Sequence, residues 1–320
     1  MLALALVPVA AFALSACSPA GAGTDGKDGG GPQVVASTNV YGDIAAAIAG
    51  DHADVTSIIT SAAQDPHSFE ASASDQLVLS KADIVIENGG GYDPFVDTLL
   101  EAADSDPVVL NVSELSGLMP EHEDEHAGEA GEGDGESGGH DHEHIEGFNE
   151  HVWYSFAAVG ALATSLADEL SAIDPDNADA YASNAEAFTG RLDDLTAQAD
   201  DLAGTAGGDK VLVTEPVPLY LLEASGLENA TPGEFSEAIE EGTDVSPTVL
   251  NEVVGLVSSG DVALLAYNEQ TSGPETEQVR AAAESAGVPV VSFTETLPDG
   301  DDYIGWMSDN LDALAQALAR

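Results

Sequence analysis

Six of the chain's eight histidines fall between His122 and His151, and imidazole set among carboxylates is a donor set that borderline divalent metals take. Residues 121–147 hold five of them, His122, His126, His140, His142 and His144, among eleven acids. With no apolar periodicity, the stretch reads as a mobile acidic loop. His140, His142 and His144 alternate, so an extended chain would put them on one face, about 6–7 Å apart. Flexible ligands lose entropy when they bind, which predicts weak collection of metal; deleting 121–147 is expected to leave one tight site intact. His151, in "FNEHVWY", is expected to be pinned by an apolar helix beginning at Val152 and Trp153. His67, in "AAQDPHSFE", follows the apolar run "VTSIIT", and Pro66 biases Asp65 toward extended backbone, which aims the imidazole. Taken alone, His67 reads equally as a surface histidine and His151 as a capping or partly buried one.

The elements that must position these side chains alternate between short apolar runs and helical spacing. "VVASTN", "VTSIIT", "DIVIENGGG" and "PVVLNVS" read as strands, with "VYGDIAAAIAG" and "SASDQLVLSKA" as helices between them. A second series repeats the logic with strands "DKVLVTEPV", "DVALLAYN" and "VPVVSFTET" and helices at 218–226, 245–260, 275–287 and 303–319. Strands separated by helices imply parallel pairing. Between the series, an Ala-rich stretch after Pro175 carries apolar residues at helical spacing and stops at a Gly-rich break. The expected fold is therefore α/β: two lobes with mostly parallel sheets joined by one long rigid helix, with the site in the cleft between lobes. The limits read as 34–175 for the first lobe, 176–206 for the connecting helix and 207–320 for the second lobe. Ligands of such sheets sit beyond the carboxyl ends of the strands. Glu215 ends one such strand, where a carboxylate is costly unless it faces a cleft or a cation; a solvated strand-end acid is the alternative.

Composition narrows the partners. Lys and Arg total 6 against 59 Asp and Glu, for a net charge of -53, so no basic stripe exists to neutralise the phosphates of a nucleic acid. An evenly acidic surface repels itself at low salt, and we expect salt adaptation of the halophilic kind: thermal melts should rise with salt, and equal stability with and without molar salt would contradict it. His122-Glu123-Asp124-Glu125-His126 has the His-Glu-x-x-His spacing and Gly135-Glu136-Ser137-Gly138-Gly139 the Gly-x-Ser-x-Gly spacing. Both fall in the acidic stretch without apolar periodicity, which offers neither the helix nor the strand-turn-helix that such motifs need, and this argues against a metallohydrolase or another enzyme. Residues 1–17, "MLALALVPVAAFALSAC", form an apolar run of signal-peptide length. Leu14-Ser15-Ala16-Cys17 resembles the lipobox of bacterial lipoproteins, where the cysteine is lipidated, and Cys17 is the only cysteine. Residues 18–33 read as a flexible tether, which would hang the protein on the extracellular face of the cell membrane.

"DPHSFEASASDQLVLSKADIVIENGGGYDPFV" and "NEHVWYSF" resemble the two first-lobe signatures of the zinc- and manganese-binding substrate-binding lipoproteins of bacterial metal ABC importers. The resemblance covers the chain from Val34 and implies a non-enzymatic protein that delivers a divalent transition metal to a membrane permease and its ATPase. It implies four metal ligands, His67, His151, Glu215 and Glu295, with Asp301 and Asp302 as fallbacks for the last. Glu150 stands where the family usually has proline, and Glu295 where many relatives have aspartate. Two imidazoles and two carboxylates suit Zn(II), favoured here on the histidine-rich loop, or Mn(II), favoured by the two acids. Binding needs neutral imidazoles and ionised carboxylates, so metal should be lost as pH falls through about 6.5. Monomeric behaviour is expected, and an adhesin-type surface lipoprotein is the other class the resemblance admits.

Overall fold

The computed structural model describes residues 30–319 except 65, 121–144 and 146. Cys17, Asp65 and all five histidines of the acidic stretch, with most of the tether, lie outside the described residues.

The first lobe is a four-stranded sheet of β1 (Gln33–Thr38), β2 (Asp54–Ile59), β3 (Ile84–Glu87) and β4 (Val108–Asn111). All pairings are parallel, in the order β2-β1-β3-β4. Its helices are α1 (Asn39–Ala49), α2 (Ala73–Leu79), α3 (Phe95–Ala102) and α4 (Val112–Ser116). Local chemistry sets their limits: Ser72 and Asp75 close a capping box at the start of α2. Next come α5 (Phe156–Ile173) and the 29-residue α6 (Ala178–Ala206).

The second lobe repeats the order. β5 (Lys210–Val213), β6 (Glu228–Asn229), β7 (Val262–Asn268) and β8 (Val290–Phe293) pair in parallel as β6-β5-β7-β8. Around them run α7 (Leu219–Ala224), α8 (Gly233–Glu240), α9 (Pro247–Ser258), α10 (Pro274–Ala286) and α11 (Tyr303–Leu318). In both sheets the strand order reverses beside the first strand, so loops diverge there and leave a crevice at the carboxyl ends.

The spacing of apolar residues misses β6, α8, α3 and α4. β6 is two exposed residues and α8 fully buries only Phe235 and Ser236, so neither carries a readable period. The helix expected to begin at Val152 is also corrected: Val152–Tyr154 form a single 3₁₀ turn, and α5 begins at Phe156 because Ser155 is extended and accepts from the Ala158 N–H.

α6 packs against α5, α1 and α11, and one apolar cluster runs from Val34 and Ile86 through Leu166 and Phe188 to Val213, Phe293 and Leu314. The lobes thus share a core. Hydrogen bonds stitch them too: Asn39 Nδ2 donates to the Leu297 carbonyl at 2.8 Å, the Leu297 N–H returns one to Asn39 Oδ1 at 3.1 Å, and the Tyr154 hydroxyl donates to the Thr294 carbonyl at 2.8 Å.

At the end of β3, Gly89, Gly90 and Gly91 all have positive φ. A Cβ on Gly89 would lie 2.2 Å from Asn111 Nδ2 and one on Gly90 2.6 Å from the Phe148 ring, so only glycine makes this turn. Two buried carboxylates flank it. Burial pushes Glu87 up to about 7, helped by the charges of Asp93 and Asp97; burial pushes Asp93 up to about 6 although it accepts from the Asn88 and Gly89 N–H groups. Raised carboxylates favour the protonated fold, so their contribution is fully present below about pH 4 and is lost as pH rises through 6 and 7. Glu87→Gln keeps the acceptor for Asn111 Nδ2 (2.8 Å) and should stabilise the metal-free protein by about 1–3 kcal/mol above pH 7. Chemical denaturation at pH 5 and pH 8 checks this; a gain of equal size at both would refute it.

Candidate metal site

Two donors come from the first lobe. His67 follows β2 in the turn after Pro66, half-buried, with its ring 4.9 Å from that of Tyr92. His151 precedes the 3₁₀ turn and is 1% exposed. Its ring packs on Trp153 at 5.2 Å and faces His67 at 6.4 Å. The tautomer follows from its neighbours: Asn149 Oδ1 lies 2.7 Å from His151 Nδ1 and also accepts from the His151 backbone N–H at 3.1 Å. An amide oxygen can only accept, so Nδ1 carries the proton and Nε2 is the donor nitrogen. Asn149 is itself clamped to the second lobe, donating to the Pro216 carbonyl at 3.0 Å and accepting from the Tyr220 hydroxyl at 2.7 Å. Asn88 Nδ2 holds the Glu150 carbonyl at 3.0 Å.

The second lobe supplies the carboxylates. Glu215 follows β5 and Glu295 follows β8; they are 3% and 5% exposed. Glu295 Oε2 accepts from the Tyr92 hydroxyl at 3.3 Å. Burial and the Glu295 charge raise the Tyr92 phenol well above its usual range, so it stays a donor. The Glu295 N–H donates to Gln270 Oε1 at 2.6 Å, fixing the backbone from which the carboxylate projects. Ligand atoms of His67, His151 and Glu295 all lie within 4.8 Å of one another. Glu215 joins them through Asn268, whose amide donates both to Glu215 Oε2 and, at 2.8 Å, to Glu295 Oε1. Asp301 and Asp302 are elsewhere: both are exposed, and Asp302 caps α11 by accepting from the Gly305 N–H at 2.7 Å.

A second group shares His151. Glu150, His151 and Glu240 also place one ligand atom each within 4.8 Å, with Glu240 Oε1 3.9 Å from His151 Nδ1. Burial, followed by the charges of Glu150, Glu215 and Glu295, pushes Glu240 up to about 9. Both causes favour its protonated form, which lowers the negative charge packed around the cleft. Glu240, Asn268, Tyr92 and Asn149 are the site residues that sequence reading did not find. Glu240 ends α8, which has no legible period, while Asn268 and Tyr92 declare themselves only when strands far apart in sequence are brought together.

Two imidazoles and two carboxylates from four chain segments can hold a small divalent cation by neutral nitrogen and anionic oxygen. Residues 34–317 match the model of the family described as ZnuA, zinc-uptake complex component A periplasmic. Among curated proteins, the manganese-binding lipoprotein MntA of Halalkalibacterium halodurans is 26% identical, the match covering 98% of this chain and 97% of that protein. The manganese ABC transporter substrate-binding lipoprotein PsaA of Streptococcus pneumoniae is 28% identical over 90% of this chain and 89% of its own. Among solved structures, the substrate-binding protein FpvC of Pseudomonas aeruginosa in complex with Mn2+ superposes with a TM-score of 0.70 at 23% identity, covering 90% of this chain and 98% of that one. With a fold of two parallel-sheet lobes joined by one long helix and a family match across nearly all of its described residues, the chain belongs to the ZnuA family of substrate-binding proteins of metal-importing ABC transporters.

Proposed function

We propose that the protein captures a divalent transition metal between His67, His151, Glu215 and Glu295 outside the cell and delivers it to a membrane permease and its ATPase. The observation that carries this reading is the convergence of His67, His151 and Glu295 from both lobes, with Glu215 tied in by Asn268. Manganese is placed ahead of the zinc favoured from the histidine-rich stretch. Half of the donor set is carboxylate, which suits the harder ion, and the curated relatives MntA and PsaA are named for manganese. Zinc is the second reading, supported by the two imidazoles and by the family description.

Elemental analysis of protein purified with its native metal, followed by competitive titration of the metal-free form with Mn2+ and Zn2+, tests the choice. One equivalent of manganese supports the first ion, zinc the second, and no bound transition metal under either condition would overturn the function. Removing residues 121–147 should leave the one-equivalent tight site and abolish only weak additional binding. Loss of the tight site would show that His122, His126, His140, His142 and His144 are not accessory collectors.

The anchoring reading rests on Cys17 and on the lipoprotein names of the relatives. Lipidation there, with residues 18–33 as tether, would hold the lobes at 34–175 and 207–320 on the outer face of the membrane. Cys17→Ala should then release the protein into the medium.

A further inference from the structure

Asn268 is the last residue of β7 and 2% exposed. Both N–H groups of its amide are used on two carboxylates from different strand ends, Glu215 Oε2 and Glu295 Oε1. The amide is held in that sense. Its Oδ1 accepts from the Gln270 N–H at 3.1 Å, and its own backbone N–H donates to Thr214 Oγ1 at 2.9 Å. Thr271 Oγ1 donates to the same Glu215 Oε2 at 2.6 Å. A carboxylate oxygen offers two lone-pair directions, and on Glu215 Oε2 two donors occupy them. Chelation of one ion by both oxygens of Glu215 would have to break one of these bonds in a buried place, where a lost hydrogen bond costs most.

We propose that Asn268 and Thr271 restrict Glu215 to a single donor oxygen, tie it to Glu295, and so make the site reject calcium. The proposal rests on the reading of His67, His151, Glu215 and Glu295 as the ligands of the transported ion. Calcium takes six to eight oxygens and commonly chelates carboxylates through both. A transition ion is satisfied by fewer donors and accepts imidazole nitrogen. An extracellular protein with two buried glutamates at its site must discriminate against calcium, and limiting how each glutamate can grip the ion does so without a further side chain in the cleft. Asn268 and Thr271 are thus positioning residues, acting on the ion only through the carboxylates.

The test uses Asn268→Leu, similar in size with no donor, and Thr271→Val at a half-buried position. Each is titrated with Mn2+ and with Ca2+ in the metal-free full chain, and X-ray absorption at the manganese edge counts the oxygen neighbours of the bound ion. Wild type should keep Mn2+ in the presence of excess Ca2+. Asn268→Leu should raise the Ca2+ to Mn2+ affinity ratio by about tenfold or more and Thr271→Val by a few-fold, with about one extra oxygen around manganese, since freed carboxylates can chelate. An unchanged ratio and oxygen count in variants that still bind one Mn2+ would overturn the inference and leave the metal-binding reading standing. Equal loss of both ions, with no change in ratio, would mark the amide as purely structural and also overturn it. Should Asn268→Leu not fold, Thr271→Val decides. Full Mn2+ affinity in His151→Ala would instead show that the reading beneath the inference is wrong.

Discussion

His151→Ala should lower transition-metal affinity by several hundred-fold or more in equilibrium titrations. Four-ligand protein sites hold zinc with about 10–16 kcal/mol, so one donor's share is roughly 3–4 kcal/mol, or two to three powers of ten in Kd. No other described histidine can take its place: His52 stands by the ring of Tyr181, and His67 is already in the group. The fold should survive the change, because Nδ1 of the ring bonds a neighbouring asparagine side chain and the backbone of the segment is held separately by Asn88 and Tyr303. Replacing His140, His142 and His144 together should leave the tight site at wild-type affinity. Near-wild-type binding in His151→Ala, or loss of tight binding in the triple variant, would reverse the roles assigned to the two sets.

Trp153→Ala should be the most damaging single substitution near the site. The indole is 1% exposed and its ring packs on Tyr92 at 4.7 Å, His151 at 5.2 Å and Tyr41 at 6.4 Å. Truncating a buried tryptophan costs about 3–5 kcal/mol, because the surroundings only partly fill the cavity. In a chain of this size that lowers Tm by about 5–15 °C. The same cavity lies beside His151 and Tyr92, so we expect metal affinity to fall by about 10–100-fold as well, the range for losing the support of a ligand. Trp153→Phe should recover part of both. Calorimetry and titration on one preparation check the pair, and an unaltered Tm would contradict the packing argument.

The fold was largely legible because its signals are local. The runs at β1, β3 and β7 are buried on both faces and read as continuous apolar strands. Ser72, Ser246 and Gly287 mark helix limits by caps visible in one dimension. Where burial is slight, as in α8, the period fades, and the glutamate that α8 delivers to the cleft was missed. The start of α5 was misplaced because Val152 and Trp153 are buried without being α-helical; burial alone does not distinguish a 3₁₀ turn from an α-helix.

By itself the sequence determined the donor types, the α/β alternation and the acidity of the chain, all of which depend on residue identity or on neighbours within a few positions. The tertiary structure alone decided which donors meet. His67 and His151 are 84 positions apart and Glu215 and Glu295 80, and only sheet pairing and the core shared by the two lobes bring such separations together. It also decided that Asp302 caps a helix while Glu295 joins the histidines, that Asn149 fixes the imidazole tautomer, and that one asparagine amide serves two glutamates. Such relations are distances between chain segments, and a linear pattern of residues does not encode them until the fold closes.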